Sequence, residues 1–206
     1  RALLQFATEE AKHIHLFKRF REEFERGFGT PCAVIGPPEA VAKAILAHEP
    51  LSVALAILHI EWMTQRHYLD SIRDDAALDP RFKDLLKHHW MEEAQHARLD
   101  ALMVEALAEG KDEEALGRAV DGYLSIGGFL DAGLEQQMLF DLEALERATG
   151  RKLAEAEGER AMAVQRQANR WTYLGTGMTH PEFLRALGKM SPSLREKIEK
   201  VAPAFC

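Results

Sequence analysis

The chain has little cysteine: Cys32 and Cys206 are the two in 206 residues, and no Cys-x-x-Cys pair occurs. That excludes a disulfide framework and leaves two reduced thiols in a cytoplasmic protein as the expectation. It also lacks a long apolar run. The longest, Leu51 to Ile60, is too short to span a bilayer and contains His59. No signal peptide is visible. The formal net charge of −7 argues against a nucleic-acid footprint, and no basic cluster is dense enough to reverse that. No strand pattern, sequence repeat or low-complexity segment appears. What is present is ordinary for a soluble globular protein: 47% hydrophobic and 29% charged residues. The length suits one good-sized domain with a sizeable core. The chain opens at Arg1 inside a helical pattern, so residues upstream of it are expected in the native protein.

Helical periodicity covers most of the sequence. Over residues 1–26, Leu3, Phe6, Glu10, His13, Phe17, Phe20 and Phe24 recur at steps of 3 and 4, a single helical stripe ended by Gly27 and Gly29. Residues 27–50 are a long connection with turn signals at Thr30-Pro31 and Gly36-Pro37-Pro38 and a short helix from Glu39. Residues 51–74 form a helix whose stripe is Ala54, Leu58, Glu61, Gln65, Tyr68 and Ile72. Asp79 is placed to cap, and Pro80 to open, a helix over 80–109 closed by Gly110. Residues 112–126 and 129–149 are two helices, or one kinked at Gly127-Gly128. A polar helix over 151–174 and short helices around 182–188 and 193–201 complete the chain.

The stretch from Lys87 to Asp100 organises the rest. It is rich in good helix formers and holds no Gly or Pro. His89, Glu93 and His96 stand at i, i+4 and i+7, on one stripe that Phe82, Leu86, Met103 and Leu107 continue as apolar. Two imidazoles and a carboxylate therefore point where core side chains belong. A buried carboxylate with no partner costs roughly several kcal/mol, and a metal ion removes that cost. Glu10-x-x-His13 and Glu61 sit mid-stripe on two other helices, so antiparallel packing brings all six groups to one level. Mixed carboxylate and imidazole donors suit Fe(II), Mn(II) or Zn(II). Three Glu and three His exceed what one tetrahedral zinc takes and suit a pair of six-coordinate ions. The expected ligands are Glu10, His13, Glu61, His89, Glu93 and His96; the plainer alternative is a satisfied buried hydrogen-bond network. Gln65 and Asp100, one turn beyond Glu61 and His96, either orient ligands or make local hydrogen bonds. Tyr68, Trp62, Trp90 and Trp171 read most simply as packing.

The order Glu10-x-x-His13, Glu61, Glu93-x-x-His96, with the long connection between the first two, resembles the ferritin-like di-iron carboxylate proteins. Those place Glu, E-x-x-H, Glu and E-x-x-H on four successive helices. With His89 added, H-x-x-x-E-x-x-H resembles the p-aminobenzoate N-oxygenase type. The likeness covers about residues 1–108 and rests on six residues and the helix order. It implies an all-α, ferritin-like four-helix bundle within 1–110, its first helix missing here; residues 111–206 carry no such likeness and are expected as a helical extension packed on it in the same domain. It further implies two iron ions, with Mn or a mixed Mn/Fe pair as substitutes. The implied function is a cytoplasmic non-haem di-iron oxidoreductase that activates O₂ or peroxide to oxidise a small organic substrate. Neither nucleic acid nor membrane is an expected partner. The missing Glu lies upstream of Arg1, or Glu135, Asp141 or Glu143 supplies it, or the site is mononuclear or degenerate. The same residues also admit an Mn- or Zn-dependent hydrolase, or a non-catalytic helical module with a structural metal. A homodimer is compatible with an incomplete bundle, and the electron donor is not specified.

Overall fold

The computed structural model describes residues 2–205; Arg1 and the Cys206 thiol lie outside them. Regular structure is helical throughout: 85% helix, with no strand among the described residues. The helices are α1 (Ala2–Phe28), α2 (Pro38–Leu46), α3 (Pro50–His67), α4 (Pro80–Ala108), α5 (Glu113–Thr149), α6 (Glu155–Arg170), α7 (Thr176–Met178), α8 (Pro181–Met190) and α9 (Pro192–Val201). None is long and apolar enough to cross a membrane.

Helix ends follow local chemistry. Asp79 caps α4, its Oδ1 accepting from the backbone N–H groups of Arg81 and Phe82 at 2.9 and 3.1 Å. Gly110 and Gly150 follow α4 and α5 with φ of 74° and 62°, where a side chain would be strained. One expectation shifts, and one alternative is decided. Helix α1 runs past Gly27 to Phe28, and Gly29 takes the positive-φ position. Helix α5 passes through Gly127-Gly128 as one helix of 37 residues. Tyr123 and Ile126, just before the glycines, are buried in the core. Their burial offsets the penalty of roughly 1 kcal/mol for each helical glycine.

The chain falls into two compact units, Arg1–Ile35 with Gly133–Arg166 and Gly36–Ala132 with Gln167–Cys206. Helix α5 gives its first half to the second unit and its second half to the first. In the first unit, the segment after α1 is held by α5. Gln137 accepts from the Ile35 N–H at 3.1 Å and donates to the Ala33 carbonyl at 2.9 Å. Helix α6 pairs with the same stretch of α5: Arg166 meets Glu135 through two bonds of 2.5 and 2.9 Å, and Gln165 donates to Asp141. Glu135 and Asp141 are thereby engaged with α6, and Glu143 is exposed with Arg147 at 4.0 Å. Cys32 is a free, half-buried thiol.

In the second unit, α3 packs along α4, and its apolar core gathers Leu55, Leu58, Val104, Val120, Phe183 and Ile198. Burying such a side chain contributes about 1.5–3 kcal/mol. Helices α3 and α5 approach closely where Ser52 Oγ donates to the Ala119 carbonyl at 2.8 Å. Helix α3 ends in a π-helical turn, Tyr68–Ile72, and α6 in another, Trp171–Gly175. One guanidinium links them. Arg66 donates to Asp70 at 3.1 Å and to Thr179 Oγ1 at 2.6 Å, and lies 4.9 Å over the Trp171 ring. Arginine's planar fork makes these three contacts together possible.

Candidate metal centre

On α1, the i, i+3 spacing puts Glu10 and His13 on one face, with His13 Nδ1 3.9 Å from Glu10 Oε1. His13 is buried and Glu10 half-buried. Each is a polar residue on an otherwise apolar stripe, as the periodicity predicts.

On α4, Glu93 stands between two imidazoles. His89 Nε2 lies 2.6 Å from Glu93 Oε1, and His96 Nδ1 lies 2.7 Å from Glu93 Oε2. One helix face and the spacings of 4 and 3 produce this arrangement. Each carboxylate oxygen thus faces one ring nitrogen. Glu93 and His96 are buried, and so is Asp100 one turn on. The next helix helps to hold the face in place. Gln65 of α3 donates to the Trp90 carbonyl at 2.8 Å, and Trp90 stacks on Tyr68 with ring centroids 5.0 Å apart. Gln65 is therefore bonded to the backbone of α4, and Tyr68 and Trp90 pack as expected.

Glu10, His13, Glu93 and His96 form a group that could hold a metal ion: one ligand atom from each lies within 4.8 Å of the others. Two carboxylates balance one divalent cation, and two neutral imidazoles complete a borderline donor set. These four are among the six residues expected as ligands. Glu61 is buried on α3 but is not in the four-residue group. His89 reaches the centre through its contact with Glu93. Glu135, Asp141 and Glu143 are not in the group either.

Sequence reading passed over a second polar cluster in the second unit. His59 of α3 is buried, with Nδ1 2.7 Å from the Tyr123 hydroxyl and Nε2 2.9 Å from the Tyr173 carbonyl. The carbonyl can only accept, so Nε2 carries the proton and the phenol donates to Nδ1. Burial pushes the His59 pKa down to about 4, against a smaller upward pull from the Tyr173 carbonyl. Burial likewise raises the Tyr123 phenol well above its ordinary range. His180, stacked on Trp62 at 4.6 Å, accepts the Glu182 N–H at Nδ1 and so caps α8. Its pKa is lowered by burial first and by Arg66 second. No signal in a single sequence separates His59 and Tyr123 from ordinary core. No protein-family model, curated protein or solved structure matches the chain.

Proposed function

We propose that this chain is a non-haem di-iron oxidoreductase on a ferritin-like helical bundle, which activates O₂ or peroxide to oxidise a small organic substrate. The observation that carries the reading is the convergence of Glu10, His13, Glu93 and His96 within 4.8 Å, at positions where the helix stripes are otherwise apolar. In this reading those four hold iron, and Glu61 and His89 contribute to a second ion. Three carboxylates offset three of the four positive charges of an Fe(II) pair, so the fourth carboxylate of the family pattern is still needed. When bound, iron supplies the redox chemistry and the affinity for oxygen.

The chain's own residues do the rest. Glu93 orients the two α4 imidazoles, one through each oxygen, and so fixes which ring nitrogens are free to ligate. Burial of His13, Glu93 and His96 keeps bulk water from the donors. The cytoplasm is the compartment that suits the free thiol of Cys32.

Oxygen uptake tests this. Protein loaded anaerobically with Fe(II) and then exposed to air should consume O₂ in proportion to the iron bound, while Glu93→Ala should consume none above free iron. The contacts of Glu93 with His89 and His96 also favour a second reading, a helical module whose polar groups satisfy one another without metal. Uptake no faster than that of free Fe(II) in the unmodified protein would favour that module.

A further inference from the structure

A groove in the second unit runs between α4 and α8. Its first cavity, of about 450 Å³, has an apolar floor made by Trp62, Ala101, Leu102 and Ala186. A second, of about 580 Å³, continues it, because Leu102, Glu105 and Lys189 line both. There Ala106, Ala108, Leu116 and Met190 extend the apolar surface. Both volumes fall in the range of about 300–1,000 Å³ that small-molecule sites occupy. Leu102, where the cavities meet, is 62% exposed. An apolar ligand would cover it.

The charges at the edge select the ligand's polar end. Three cations line the first cavity: Arg98, Arg185 and Lys189. Arg185 is paired with Glu182, and Lys189 with Glu105. Arg98 has no ion-pair partner among the described residues. One net positive charge remains, at one end of the groove. A guanidinium offers two parallel N–H donors that match a carboxylate. From Arg98 to Ala108 the helix rises ~15 Å, longer than a single aromatic ring and close to an extended medium-chain acyl group. Arg98 stands two residues after His96, roughly 200° around α4, so this surface is turned away from the ligand stripe.

We propose that the α4–α8 groove binds an amphipathic monocarboxylate of the medium-chain fatty acid class, with Arg98 receiving the carboxylate and the Ala101–Leu102–Ala186 floor covering the chain. Trp62 supplies a reporter in the wall. Titrating the full chain with decanoate should change its tryptophan fluorescence saturably, and Trp62→Phe should remove that change. Arg98→Ala should weaken decanoate binding tenfold or more, since a charge-assisted pair is lost. Decanol, which lacks the charge, should bind weakly and equally to both proteins. Leu102→Glu, at an exposed position, should abolish decanoate binding with helicity unchanged. Glu93→Ala should leave it intact, so that failure of the metal reading and failure of this one are separable. Equal binding of decanoate and decanol, indifference to Arg98→Ala, or no saturation below the micelle-forming concentration would each overturn the proposal. So would binding to phosphatidylglycerol vesicles in the absence of any binding of free decanoate.

Discussion

His59 shows how much one side chain can hold. Both ring nitrogens are engaged, the ring meets Phe183 edge-on, and a Cβ at Gly177 would lie 2.6 Å from it. The ring therefore joins α3, α5, α8 and the turn before α8 in its neutral form. Its pKa is about 4 when folded and near 6.5 when free. Between those values the unfolded chain binds more protons, so stability is fully present above about pH 6.5 and falls as pH drops toward 4. At 1.36 kcal/mol per unit the loss is ~3 kcal/mol. Urea midpoints for the unmodified chain should fall steeply over that window, and His59→Gln should flatten the fall. His67 and His180 are shifted the same way, by burial first, so a shallower slope should remain. Equal slopes in both proteins would remove His59 from this role. Glu10, His13, Glu93 and His96 stand out in the sequence because each interrupts a narrow apolar stripe. His59 does not, because α3 buries residues on several faces, including Leu55, Ala56, Leu58 and Met63, and no stripe singles out one of them.

At the scale of elements, helix α5 carries two glycines with opposite expectations. A Cβ at Gly122 would lie 2.3 Å from Ser52 Oγ and 2.9 Å from its Cβ, at the crossing with α3. Gly122→Ala must push the helices apart or move Ser52 off the Ala119 carbonyl, at a cost of about 1–3 kcal/mol. At Gly117 nothing lies within 4 Å. Gly117→Ala should stabilise by roughly 0.5–1 kcal/mol through helix propensity alone. Thermal unfolding checks both, at about 2–4 °C per kcal/mol for a chain of this size. A stable Gly122→Ala protein would mean that the crossing is looser than described. Element starts and stops with a local chemical cause were readable: the Asp79 cap, Pro80 at the first turn, Gly110 and Gly150 at the ends. For Gly127-Gly128 the sequence left one helix or two open, and the structure has one, because distant core contacts outweigh the local signal there. The π-helical endings of α3 and α6 were hidden, since Arg66 links them through partners more than a hundred residues away.

At the scale of the molecule, an all-helical chain was legible from periodicity, and Glu10, His13, Glu93 and His96, candidate ligands by sequence, form a group that could hold a metal ion. The division into two units was not legible, because it cuts through the middle of α5 and depends on contacts far apart in sequence. Every step toward function rests on whether the four converged donors take up metal. Elemental analysis of protein purified without chelators measures that directly, for the unmodified chain and for Glu93→Ala. About two irons per chain in the first and none in the second is the result expected of the di-iron centre. No stoichiometric metal in the unmodified protein, or a full complement retained by Glu93→Ala, would contradict it and leave the polar stripe as a buried hydrogen-bond network.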